Sequence, residues 1–303
     1  IADAGATPGD LVALCMPRGF DQVCAMLGVE MAGCAYVPVD PAQPRARKKL
    51  MAEKLRCGLV VTDEAHAEEA DALGTVVAVE RAVSSIDAQE ALDLAASRMP
   101  DPEATAYIIM TSGSTGTPKG VEISHGAAWN TISDISSRLG IGRGDRLLAV
   151  SSYDFDLSVY DVFGILGAGA TLVCMPDDAR RDSARMLGYV ERHDVNLWNT
   201  VPMILDMLVT QAENDGVSLG LRVVMLSGDW IGMDLPERLA RLAEDCRFIS
   251  MGGATEAAIW SNWQEVNLPL PEAWASIPYG RPLRAQAYRV VDCCGNDRPA
   301  WAI

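Results

Sequence analysis

Apolar runs rich in valine, leucine and isoleucine recur along the chain with amphipathic or alanine-rich stretches between them. This alternation predicts an α/β fold of layered, mainly parallel sheets joined by crossover helices. Strands are predicted over 11–16, 58–62, 106–111, 146–150, 171–174, 196–200, 222–226 and 248–251, and helices over 21–31, 44–55, 125–139, 181–193, 202–212 and 236–245. Pro44, Pro202 and Pro236 stand at first turns, where a missing N–H costs nothing. The acidic, alanine-rich stretch 64–102 reads as a connector, which divides residues 1–303 into sub-lobes of approximately 1–100 and 101–303. Both ends look cut: Ile1 opens a Gly/Pro segment just before a strand, and Ala302-Ile303 stop within apolar sequence, so a truncated piece of something longer is expected.

With 303 residues, 49% hydrophobic and 22% charged, the composition is that of a soluble globular enzyme and excludes disordered or fibrous chains. Lys and Arg number 25 against 41 Asp and Glu, and 25 − 41 = −16, a charge that repels polyanions and argues against nucleic acid as a partner. Any phosphate ligand must therefore be held locally. The eight cysteines sit mostly in apolar sequence and read as buried, reduced thiols of a cytoplasmic protein. Without a CxxC pair, and with only three scattered histidines, the sequence carries no zinc signature. The apolar run 162–175 is too short and glycine-broken to span a bilayer, so no membrane partner is expected.

The most informative segment runs Tyr107-Ile-Ile-Met-Thr111-Ser112-Gly113-Ser114-Thr115-Gly116-Thr117-Pro118-Lys119-Gly120. A buried strand leads into a loop of hydroxyl residues and glycines ending in a lysine. Glycine lets backbone N–H groups approach an anion, hydroxyls add donors, and Lys119 adds charge, so the loop reads as a phosphate cradle. Its spacing is not that of a P-loop NTPase.

This loop resembles the signature of the adenylate-forming superfamily, which holds acyl-CoA synthetases, luciferases and the adenylation domains of nonribosomal peptide synthetases. Three further segments are similar to adenylation-domain motifs and occur in the same order: Ala32-Gly33-Cys34-Ala35-Tyr36-Val37-Pro38-Val39-Asp40-Pro41, Tyr153-Asp154-Phe155-Asp156-Leu157-Ser158 and Gly253-Ala254-Thr255-Glu256. The resemblance implies the large N-terminal core subdomain of that fold, with ATP and Mg²⁺ as cofactors. It implies that Thr111, Ser112, Gly113, Ser114, Thr115, Gly116 and Lys119 hold the β- and γ-phosphates, that Thr255 contacts the α-phosphate, and that Glu256 ligates the metal. Gly228 and Asp229 would border the adenine together with Gly252 and Gly253. Most relatives stack an aromatic side chain on adenine from the position of Gly252 and carry proline where this chain has Ala254, so backbone contacts are expected here in place of a stack.

The same resemblance makes Asp156 the partner of an amino acid's α-ammonium, a contact that separates amino acids from fatty and aryl acids. The alternative reading of Asp156 is a helix cap. Laid onto this chain, the family's specificity positions fall on Asp156, Leu157, Tyr160, Asn199, Met225, Ser227, Met251, Ile259 and Trp260. They make a narrow sleeve for a short side chain, similar to pockets that select L-cysteine in thiazoline-forming siderophore synthetases, with serine as the nearest competitor. The implied partners are a carrier protein, whose phosphopantetheine thiol receives the acyl group, and condensation or cyclisation domains of the same assembly line. A free-standing acyl- or aryl-CoA ligase, or a non-catalytic docking platform, remain alternatives. The lysine-bearing C-terminal subdomain and the ribose-binding aspartate of relatives are not matched, and Asp292 is not given the ribose role.

Overall fold

The computed structural model describes residues 1–79, 87–112 and 118–299. The first sheet holds β1 (Leu11–Leu14), β2 (Ala35–Pro38), β3 (Leu59–Thr62), β4 (Thr75–Ala78), β5 (Thr105–Ser112) and β6 (Pro118–Ser124), in the order β4-β3-β1-β2-β5-β6. All its pairings are parallel except β5 with β6. The second sheet holds β7 (Arg146–Ala149), β8 (Thr171–Cys174), β9 (Leu197–Thr200), β10 (Val223–Leu226), β11 (Arg247–Gly252), β12 (Asn262–Val266) and β13 (Arg281–Pro282), in the order β13-β12-β11-β10-β9-β7-β8. It is parallel from β8 to β11, and β12 and β13 add antiparallel.

Helices α1 (Phe20–Met31), α2 (Arg45–Leu55), α3 (Ala88–Ser97), α4 (His125–Leu139), α5 (157–167), α6 (Ser183–Arg192), α7 (Pro202–Asp215) and α8 (Leu235–Leu242) accompany the sheets, and α5 is π-helical over Tyr160–Gly164. Strands β2, β3, β9 and β10 are buried at every residue. Strands covered on both faces give continuous apolar runs rather than alternating ones, which is why β3 and β10 are legible in sequence. The stretch 64–102 is more than a connector: it contributes edge strand β4 and α3, whose first turn is capped by Asp87. Since the first sheet extends to Ser124, the approximate boundary at 100 falls inside its residue range.

One hydrophobic core serves both sheets. It joins Val12, Leu14, Tyr36 and Tyr107 of the first to Met225, Ile249 and Met251 of the second, with Ile132 and Ile135 of α4 packed among them. Helix α4 starts where the Ser124 hydroxyl accepts from the Ala127 N–H and stops at Gly140, whose φ of 59° is left-handed. A polar tie fixes the second sheet beneath the site: Arg222 donates to both carboxylate oxygens of Asp145 at 2.6 Å and to the Leu139 and Gly140 carbonyls at the end of α4. All eight cysteines are free, but only Cys15 and Cys34 are buried, and Cys24, Cys293 and Cys294 are exposed. Among the described residues no helix is long and apolar enough to cross a membrane.

Candidate active site

In the second sheet the parallel strands β7, β9, β10 and β11 run in one direction, and Asn199, Met225, Ser227, Met251 and Gly252 lie at or just beyond the C-terminal ends of β9, β10 and β11, the usual ligand side of an α/β sheet. Thr111 and Ser112 close β5. Lys119 is exposed on β6 directly across from Thr111, whose hydroxyl donates to the Lys119 carbonyl at 3.3 Å. Gly113, Ser114, Thr115 and Gly116 lie outside the described residues.

Gly228 follows β10 with a left-handed φ of 83°, and the Asp229 carboxylate accepts from the Trp230 N–H at 2.7 Å. Gly252 ends β11, and Gly253, Ala254 and Glu256 are exposed around a half-buried Thr255. Among the described residues no group of three or more His, Cys, Asp or Glu could cage a metal. A single carboxylate, Glu256, fits Mg²⁺, which keeps much of its shell as water and substrate phosphate.

Asp156 stands at the start of α5, but its side chain makes no capping hydrogen bond. Asp156 is only 4% exposed. Burial pushes it up to about 6 against the lowering effect of the Thr255 hydroxyl and neighbouring backbone N–H groups, and the charge of Glu256 pushes the same way as burial. Among the described residues no Lys, Arg or His is paired with the Asp156 carboxylate.

The other eight candidate positions are buried near one another. Leu157 and Tyr160 face inward from α5; Asn199 on β9 pairs in register with Met225 on β10; Ser227, Met251, Ile259 and Trp260 complete the wall, and all are buried. The Tyr160 and Trp260 rings lie 5.0 Å apart at 56°, and Trp260 Nε1 donates to Ser227 Oγ at 2.9 Å, which leaves the Ser227 proton free to donate. Tyr160 OH lies 3.2 Å from Ser136 Oγ. Ala258 and Ile259 both take positive φ, 59° and 73°, a strained conformation for a β-branched residue and one that such sites hold at a cost of about 1–3 kcal/mol. Tyr153 is buried, whereas Phe155 is 38% exposed beside Gly228.

Sequence reasoning passed over Asp161. This fully buried acid on α5 accepts from Asn199 Nδ2 at 2.7 Å, and Nδ2 also reaches the Leu157 carbonyl at 3.5 Å. Both contacts are acceptors, so the carboxamide N–H groups are committed and Asn199 Oδ1 is left buried without a donor. A second acid within the apolar sequence that follows Asp156 was the available signal. Asp292 organises a turn: it accepts from the Cys294 and Asn296 N–H groups and pairs with Arg298.

Gly253 is sterically required. A Cβ there would lie 2.8 Å from Trp260 Cα and 2.9 Å from the Ser261 nitrogen, both backbone atoms. Gly253→Ala is expected to cost about 1–3 kcal/mol of stability and, by displacing Trp260, to raise the KM of the acid substrate; thermal denaturation and steady-state kinetics check this.

A profile of the family described as AMP-binding enzyme matches residues 1–302. The chain belongs to this family. Curated relatives of this AMP-binding enzyme include pyochelin synthetase PchE of Pseudomonas aeruginosa, 48% identical over 99% of this chain and 20% of that protein. The anguibactin system regulator of Vibrio anguillarum is 45% identical over 99% of this chain and 28% of that protein. The chain thus spans 20% and 28% of the lengths of these relatives. Among solved structures, the nonribosomal peptide synthetase FmoA3 in its alpha-methyl-L-serine-AMP bound form superposes with a TM-score of 0.91 at 36% identity, covering 99% of this chain and 33% of that one.

Proposed function

We propose that this AMP-binding enzyme activates an amino acid, L-cysteine before L-serine, as its aminoacyl-adenylate, for transfer to the phosphopantetheine thiol of a carrier domain in siderophore-type nonribosomal peptide synthesis. A substrate carboxylate oxygen attacks the α-phosphorus of ATP, a new P–O bond forms, the bond to the bridging oxygen breaks, and pyrophosphate leaves. Asp156 carries the reading: a buried carboxylate beside a tightly packed group of mainly apolar side chains recognises an α-ammonium, and a fatty or aryl acid has nothing to offer it. The Asn199 carbonyl awaits a donor and the Ser227 hydroxyl has one to give, which suits a thiol or hydroxyl side chain. The names of the relatives, a pyochelin synthetase and an anguibactin system regulator, support the siderophore setting.

Thr111, Ser112, Ser114, Thr115 and Lys119 would hold the departing pyrophosphate, and Thr255 would reach the α-phosphate from its place beside Asp156. Mg²⁺ at Glu256 would spread the charge that builds on the phosphates. The test is pyrophosphate exchange by the full-length polypeptide with each proteinogenic amino acid and with aryl and fatty acids. Cysteine is expected to lead, with serine next; a faster rate with an aryl or fatty acid than with any amino acid overturns the proposal.

A further inference from the structure

Gly252 and Gly253 strip side chains from the end of β11, yet the space beside Gly252 is filled. A Cβ on Gly252 would stand 3.1 Å from both Cδ1 and Cε1 of Tyr279, so an aromatic side chain at 252 and the Tyr279 ring would compete for one volume. The ring arrives from the far side of the sheet's antiparallel edge, on the segment just before β13. It is 76% exposed, although its edge rests against the strand end that adjoins Thr255 and Glu256.

Its position is clamped. Gly280 has a φ of 85°, and a Cβ there would collide with the Trp263 carbonyl oxygen, so only glycine lets the chain press so closely onto β12. Arg281 and Pro282 then pair with Trp263 and Asn262, and Asn262 itself pairs with Gly252. Tyr279 is thereby held over Gly252 by two strands and a mandatory glycine. A planar ring held in place, open on most of its surface and bordered by two side-chain-free residues, has the shape and polarity to stack on a planar heteroaromatic base.

We propose that Tyr279 is the surface on which the base of ATP stacks, taking over in space the place that Gly252 leaves without a side chain. The inference rests on the nucleotide reading given above and revises the expectation of backbone contacts alone. It separates Tyr279 from other exposed aromatics near this edge, among them Trp230, 77% exposed on the Gly228 loop, and Tyr288, whose hydroxyl is tied to Asn262.

The experiment is pyrophosphate exchange with the full-length polypeptide and its Tyr279→Ala, Tyr279→Phe and Trp230→Ala variants, together with the exchange variant Gly252→Tyr/Tyr279→Gly. Tyr279→Ala is expected to raise the ATP KM about tenfold while moving the amino-acid KM far less. Tyr279→Phe should keep the wild-type ATP KM, and the exchange variant should recover much of the loss, which a merely structural role of Tyr279 would not produce. Should Tyr279→Ala fail to fold, Tyr279→Trp keeps a ring and carries the readout: AMP is expected to quench the emission that the new indole adds over wild type. An ATP KM unchanged in Tyr279→Ala, equal losses in the alanine and phenylalanine variants, no quenching in Tyr279→Trp, or an effect confined to Trp230→Ala each overturns the assignment while leaving the nucleotide reading intact. A wild-type protein that binds no ATP at equilibrium overturns both.

Discussion

Asp156→Ala is expected to raise the KM of the amino acid on the order of 100-fold, because leaving a substrate ammonium without its buried partner costs about 2–5 kcal/mol, while the KM of ATP is expected to change little. The selectivity of the loss is the informative part. Asp156 touches Thr255 through a hydrogen bond that lowers the carboxyl, so a purely architectural role would disturb ATP and amino acid together. The pH dependence has a definite sign. In the free protein Asp156 is neutral below about 6, and only the ionised form attracts an ammonium, so kcat/KM for the amino acid falls about tenfold per pH unit below that point; the limb vanishes in Asp156→Asn. Stability moves the other way. The folded value lies above the unfolded one of 3.8, so the burial penalty is absent below the unfolded value and fully present above about 6. At pH ~7.5, Asp156→Asn is therefore expected to be more stable than wild type by about 3 kcal/mol, measured by thermal denaturation without ligand. A carboxylate kept at such a cost is consistent with selection for binding rather than for folding.

Arg222→Ala is expected to be the most damaging change away from the pocket. It strips the paired cation from Asp145, whose side chain is 9% exposed, and removes the donors that hold the Leu139 and Gly140 carbonyls. Breaking a buried pair on one side costs about 3–5 kcal/mol, and the partial exposure of Arg222 brings the expectation to about 2–3 kcal/mol. Burial raises the Asp145 carboxyl, but the hydrogen bonds from Arg222, the Gly142 N–H and Asn196 outweigh it and hold the carboxyl below its ordinary value. The folded value is thus depressed, so the tie stabilises above the unfolded carboxylate range and is lost as the pH falls through the folded value. Denaturant titrations of wild type and Arg222→Ala should differ most near neutrality and converge in acid. Because the tie runs from β7 and β10 to the end of α4, its loss is also expected to loosen the strand that carries Met225.

Burial alone does not decide which strands are legible in sequence: β2 is buried at every residue and is missed, whereas the partly exposed edge strand β8 is found. Strands β3, β7 and β10 are short, mostly apolar runs between turn residues, and several helices begin with proline or a capping residue, so composition and position agree. Strand β4 is a partly exposed edge, β2 ends in proline, and β6 begins in the Pro-Lys-Gly of a loop motif; each draws its strand character from a neighbour rather than from its own residues. The candidate pocket positions came from the resemblance, by their place relative to its motifs, and all of them are buried. Asp161 and Tyr279 were not legible in sequence, for two physical reasons. Asp161 matters through the orientation it imposes on Asn199, a contact spanning 38 residues. Tyr279 matters through a void at Gly252 that only the fold brings beside it.

The central claim is that Asp156 makes this site read an α-ammonium. Pyrophosphate exchange by the full-length polypeptide with L-cysteine, set against 3-mercaptopropionate, tests it most directly, since the two differ only in the amine. The expected result is a kcat/KM for cysteine at least about 100-fold higher, falling toward parity in Asp156→Ala; comparable rates for the two acids in the wild-type protein would contradict it.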